Sequence, residues 1–301
     1  MGGRATRVSL AASLCVVALA GATAPAGASA PGVPNLDWAS LLPPLGSPNE
    51  PQPGAVENCE APGIECMDGV VERLRTLRDG LGCDHRGVFA TTYLELSREL
   101  RRSFDTDPAL FDYPAYLQTQ AAAFVNAYFD AFESWEQGEA VAPAWRIAFN
   151  QAASGQITGA QEMLLGINAH VQNDMPFVVA ALGLRAPDGS SRKPDHDAVN
   201  EVLNRAYGNV VREVGTRYDP TMSLTNPSLV TVDDIGGLEI ARVWRELVWR
   251  NAERLTNARS EVQRLRIGRQ IQANAAIWAR GIAAVQSPGI RAVRDNYCAS
   301  R

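Results

Sequence analysis

The sequence predicts an all-α fold, a single bundle-like helical domain, and three observations carry that expectation. From Met67 onward apolar residues recur at spacings of three and four, the period of an amphipathic helix. Strand signals are nearly absent, with no alternating β-branched run and no Asn-Gly hairpin turn. Pro108, Pro114 and Pro143 stand where periodic stretches open or restart, the positions at which helices accept proline.

The segments before this domain have a different character. Residues 1–28 read as a secretory signal peptide: Arg4 and Arg7 open it, and Val8 to Gly21 form a short apolar core. Ala26-Gly27-Ala28 offers a small-residue cleavage pattern that leaves Ser29 first. The apolar core is too short to cross a bilayer, which takes about 20 residues. Losing Arg4 and Arg7 leaves 26 positive against 33 negative side chains, a net of −7. The mature chain is therefore expected to be secreted, with no membrane span. Residues 29–55 form a Pro/Gly-rich linker, and the helical domain is expected over 56–301. Lys193 is the sole lysine and no dense basic patch interrupts the negative balance, so nucleic acid is not an expected partner.

Four cysteines remain after export: Cys59, Cys66, Cys83 and Cys298. An even count in an exported chain favours two disulfides, for which three pairings exist. The favoured one is Cys59–Cys66 as a local loop and Cys83–Cys298 as a tie on the C-terminus.

The helices follow in order. Val70, Val71, Leu74, Leu77 and Leu81 share one face of the first. Asp84 sits where an N-cap belongs, ahead of a second helix whose apolar face takes in Phe89, Tyr93, Leu96 and Leu100. Pro114 opens a third, with Leu117, Ala121, Phe124, Tyr128 and Phe132 on one stripe and Asn126 and Asp130 toward solvent. Pro143 starts a shorter helix, and Gly155 to Thr158 turns the chain into the central stretch, Met163 to Leu184. After a loop at 186–193, Asp195 is the expected cap of the next helix. Residues 218–232, with Pro220 and Pro227, read as irregular. The tail reads as one very long helix or two in sequence, with arginines and glutamates at four-residue spacing on a solvated face. Trp244, Trp249 and Trp278 are its expected packing anchors.

The chemistry concentrates in the central stretch. His170 and Asp174 lie four residues apart, on one face of a helix, inside an apolar run. Pro176 follows and is expected to free the carbonyl of Gln172 and bend the axis. A second dyad, His196 and Asn200, is flanked by Asp195 and Asp197. Imidazole nitrogens and carboxylate oxygens at helical spacing are what zinc or another divalent ion takes as ligands. The expected metal ligands are His170, Asp174 and His196, with Asp197 or Asp84 completing the shell or acting as general base. The competing expectation is a structural His170–Asp174 pair with His196 solvated. His85, beside the cap, reads as an exposed loop residue. No G-x-S-x-G elbow, H-E-x-x-H pair or Gly-rich phosphate loop is present, and Gly236-Gly237 is an isolated pair.

The segments DHRGVFATTYLELS, FVNAYFDAF, AWRIAF, LLGINAHVQNDMPFVVAALG and DHDAVNEVLN, in that order, resemble an uncharacterised bacterial family of unknown function. Its central motif is similar to GMNAHINRDLP, and the resemblance covers the chain from about residue 66. Asp84, Asn126, Trp145, His170, Asp174 and His196 stand at its matching positions, and His85 does not. The resemblance implies a helical fold and carries no activity. A fainter likeness, His170-x3-Asp174-x-Pro176, is to the exported all-α zinc-dependent phospholipase C and single-strand nuclease group. It implies a zinc-held hydroxide attacking a phosphodiester. With three histidines, and with Trp38 inside the linker, at most one or two ions are expected. Three function classes follow: a metal-dependent hydrolase of an ester or phosphodiester with a small-molecule or lipid-like substrate, a non-enzymatic helical protein, and a small-molecule binding module with a pocket between the central and tail helices.

Overall fold

The computed structural model describes residues 63–224, 227–285 and 288–299, by backbone alone at 223–224, 227–237, 288, 290 and 298–299. The expected signal peptide and linker lie outside these residues. In chain order the helices are α1 (Ile64–Leu81), α2 (Gly87–Thr106), α3 (Pro114–Glu136), α4 (Pro143–Ser154) and α5 (Gly159–Ile167). A π-helical segment (Asn168–Asp174) then runs without a break into α6 (Met175–Leu182). They are followed by α7 (Lys193–Arg217), α8 (Thr221–Leu224), α9 (Pro227–Thr256), α10 (Glu261–Ala284) and α11 (Pro288–Ala299). The fold is all-α: the sole strand-like feature among the described residues is an isolated bridge between Arg185 and Ser191.

The rod α5–π–α6 is the axis of the molecule. Helices α2 and α4 pack on its first part, α3 and α9 on its second, and α10 along the π segment. Helix α7 covers α2 and α9, while α1 closes the far side of α2 and α3. The apolar stripes read from the sequence supply the core: Leu74, Phe89, Phe124, Tyr128, Phe132 and Val179 belong to one buried cluster. Burying such side chains is worth about 1.5–3 kcal/mol each.

Several boundaries differ from expectation for local reasons. Asp84 does not cap α2; its carboxylate accepts from the backbone N–H of Arg86 at 2.9 Å, an Asx turn one step ahead of the helix. Asp195 lies inside the first turn of α7 and is buried, its carboxylate accepting the N–H groups of Asp112 and Tyr113 at 2.7 Å each. It thereby holds the entry to α3 rather than its own helix. Pro227 opens α9, so the stretch read as irregular is largely helical. The tail is two helices, separated where Ser260 caps α10 by accepting from the N–H of Gln263, with α11 after them. Its polar face is not wholly solvated, since Arg242, Arg245, Glu246 and Glu253 are buried. Trp244 and Trp249 are buried anchors, whereas Trp278 is 42 % exposed at the edge of Trp244.

The expected pairings Cys59–Cys66 and Cys83–Cys298 each involve a residue outside the described side chains. Cys66 and Cys83 stand at opposite ends of α1. That separation of roughly 20 Å or more by helical rise exceeds the ~7 Å Cα reach of a disulfide. Of the three possible pairings, the one joining Cys66 to Cys83 is excluded.

Candidate functional site

The motif GINAHVQND places one polar residue on nearly every side of the central rod, and each has its own task. Gly166 is needed for close approach: a Cβ there would meet the Phe89 ring at 2.3 Å. Asn168 donates to the carbonyl of Ala275 on α10 at 2.9 Å and accepts from Gln172 Nε2 at 2.8 Å. Gln172 in turn accepts from Asn274 Nδ2 at 3.0 Å. Two side chains thus lash the π segment to α10.

The π segment itself answers the expectation of a kink at Pro176. The N–H of Met175 bonds the carbonyl of His170, five residues back, so the turn is widened by one residue. Proline, which has no N–H, follows directly at the start of α6. The irregularity is taken up as a π turn instead of a break.

His170 and Asp174 meet on this segment. Nδ1 of His170 lies 3.0 Å from Asp174 Oδ2, and a carboxylate only accepts, which assigns the ring proton to Nδ1. Asp174 is fixed by two more donors, Trp145 Nε1 at 2.8 Å on Oδ2 and Asn173 Nδ2 at 2.6 Å on Oδ1. The imidazole stacks face to face on Phe124, centroids 3.4 Å apart and planes 4° from parallel, with Tyr93 at its edge. Burial pushes the His170 pKa down against the opposing pull of Asp174, so the ring is neutral at pH 7. Its Nε2 is buried and has no hydrogen-bond partner among the described residues. Burial, and secondarily the charge of Asp174, pushes the Tyr93 hydroxyl well above its ordinary value.

The ring forms part of the wall of a cavity of about 170 Å³. Helix α2 contributes Phe89, Tyr93, Leu96 and Leu100; α3 contributes Leu117 and Phe124; α5 contributes Met163 and Ile167, and the π segment Val171; α7 and α9 close it. The lining is apolar except at a few points, among them His170, Gln120 and Arg245. Gln120 Oε1 is a second buried acceptor in this wall without a partner among the described residues. Arg245 is buried, and desolvation pushes its pKa down to about 10.

The other expected site residues lie elsewhere. His196 is buried, not solvated; its Nε2 faces the carbonyl of Arg245 at 2.9 Å and therefore carries the proton. Burial and the Arg245 charge push its pKa well down. Asp197 is half exposed and paired with Lys193 at 2.8 Å. Asp84 is held by Arg86, whose hydrogen bonds outweigh burial and lower the carboxyl's pKa. The structure joins His170 to Asp174 alone. Both Asp174 oxygens are occupied by donors and His196 has spent Nε2, so these residues do not present an ion with one ligand set. Among the described residues no group of three His, Cys, Asp or Glu is placed to hold a metal.

His85 corrects the sequence reading in the other direction. It is mostly buried, with Nδ1 2.8 Å from Glu162, which also meets Arg294 of α11 at 3.1 Å. Burial raises the Glu162 pKa against the pull of both partners. Sequence reasoning also missed Gln120 and Arg245, for which no signal stood in the sequence; Trp145 was singled out by its place in the AWRIAF segment, but not as a partner of Asp174.

Residues 67–285 match a family model described as a family of unknown function, DUF5995. The chain belongs to that family. No curated protein matches it, and no solved structure does. The DUF5995 span holds the His170–Asp174 pair and every residue of the cavity wall, and it ends before α11 and Arg294. The cavity is thus a feature of the family segment, whereas the His85–Glu162–Arg294 cluster draws on a helix beyond it.

Proposed function

We propose that this protein binds a small apolar molecule in the cavity and fixes its orientation by a hydrogen bond to His170 Nε2. One observation carries the reading: a neutral imidazole, its other nitrogen locked on Asp174, keeps a buried and unpartnered acceptor in the wall of an apolar cavity. A buried polar atom without a partner costs about 1–3 kcal/mol, and a ligand hydroxyl or N–H removes that cost. The same lone pair is suited to take a proton from a bound hydroxyl or water, the step with which a hydrolase acting on a lipid-like ester would begin. A zinc-dependent form of that reaction fits this donor set poorly, because both Asp174 oxygens are engaged and, among the described residues, no third His, Cys, Asp or Glu is grouped with the pair. We place the protein outside the cytoplasm, on the signal-peptide pattern of residues 1–28.

Octanol titrated into the purified protein tests the proposal through the melting transition. Saturating alcohol, at about a hundred times its dissociation constant, stabilises the native state by ~2.7 kcal/mol. Leu203→Trp, which fills the cavity from a partly exposed wall position, abolishes the effect. His170→Asn keeps a donor toward Asp174 but loses the Nε2 acceptor, and weakens octanol by ~0.5–1.5 kcal/mol. No stabilisation of the wild type by octanol would contradict the proposal.

A further inference from the structure

Four arginines are buried among the described residues: Arg78, Arg242, Arg245 and Arg294. Three of them are ion-paired, Arg78 with Asp79, Arg242 with Glu239, and Arg294 with Glu162 and Asp295. Arg245, 3 % exposed, has no carboxylate partner among the described residues. Its Nε donates to Asn200 Oδ1 at 2.9 Å, Nη1 to Met175 Sδ at 3.7 Å, and Nη2 to the carbonyl of His196. All three acceptors are neutral. A guanidinium carries five N–H donors, so two remain beyond these three bonds. The nearby carboxylates are committed: Glu246 to Lys193 and Arg250, and Asp197 to Lys193. The adjacent imidazole of His196 is neutral and adds no compensation.

Buried charge is stable when paired, and an unpaired cation in an apolar wall is costly. We infer that the cavity takes a carboxylate-headed apolar molecule, its head on the Arg245 guanidinium and its chain among the apolar side chains; this rests on the cavity-binding reading above. The planar fork of a guanidinium matches the two oxygens of a carboxylate, and it repels an ammonium head. The cavity, about 170 Å³, is close to the ~150 Å³ that accommodates benzene in an apolar core. That size suits a medium-length chain or a single substituted ring, and a long lipid would have to leave part of itself outside.

Calorimetric titration of the full chain with octanoate, octanol and octylamine at pH 7 tests the inference. Octanoate binds at least tenfold more tightly than octanol, and octylamine does not bind. Arg245→Gln removes the preference, so that the variant binds octanoate no more tightly than it binds octanol. Octanol binding as tightly as octanoate in the wild type would overturn the carboxylate inference and leave cavity binding standing. A tenfold preference that survives Arg245→Gln overturns it as well. Binding of none of the three removes the cavity reading itself. If Arg245→Gln does not fold, the wild-type comparison is repeated at pH 4, near the usual carboxylate pKa. The preference for octanoate then shrinks as its head is neutralised, and an unchanged preference counts against Arg245 as its partner.

Discussion

His170 keeps one nitrogen occupied and the other bare because three donors converge on Asp174 and an aromatic wall closes around the ring. The spacing of His170 and Asp174 made their pairing legible in the sequence, since residues four apart share a helix face. Trp145, 29 residues upstream, and the Phe124 stack were not legible, because their proximity is a product of helix packing. Arg245 was hidden differently: on a helix rich in Arg and Glu it looks like one more solvated charge. Gly166 marks how closely the site is packed. Gly166→Ala is expected to displace the Phe89 ring and destabilise the fold by ~1–3 kcal/mol, read as a lower urea midpoint. Because Phe89 also lines the cavity, octanol affinity should fall in the same variant.

The central rod holds its π turn through Asn168 and Gln172, whose side chains join it to α10. The sequence announced an irregularity at Pro176, but a kink and a π turn share that signal; which one forms depends on what holds the neighbouring turns. Here the Ala275 carbonyl and the Asn274 amide, more than a hundred residues away, hold them. Asn168→Ala leaves that carbonyl and the Gln172 amide short of partners inside the core. The expected loss is about 1–3 kcal/mol, measured by chemical denaturation. Asn168→Asp, which keeps the acceptor for Gln172 but has no amide N–H to offer Ala275, should lose at least as much at pH 7.

Across the whole molecule, the all-α class and most helix starts were legible, because period and proline position are local properties. The ends joined by side chains were not: His85 looked exposed until Glu162 and Arg294 met it from two other helices. Arg294 of α11 is fully buried against Glu162, so Arg294→Met should destabilise the protein by roughly 3–5 kcal/mol and loosen α11, visible as faster amide exchange there. The pH dependence of stability has a contribution from His196, whose folded pKa lies well below its unfolded value of ~6.5. Below that pH the unfolded chain takes a proton that the native ring refuses, so this contribution falls as pH falls and is constant above it. Comparing wild type with His196→Gln isolates it from the buried carboxylates Glu162 and Asp195, whose raised pKa values act with the opposite sign. Between pH 7.5 and pH 5 the wild type should lose more stability than the variant, by up to ~1.4 kcal/mol per pH unit below the unfolded pKa.

Ligand binding in the cavity depends on the state of one imidazole, and nitrogen NMR of protein labelled in its histidine rings reads that state directly. The prediction for His170 is a neutral ring with its proton on Nδ1 at pH 7 and above, and an Nε2 resonance that moves when octanol is added. A proton on Nε2, or an imidazolium at pH 7, would contradict it.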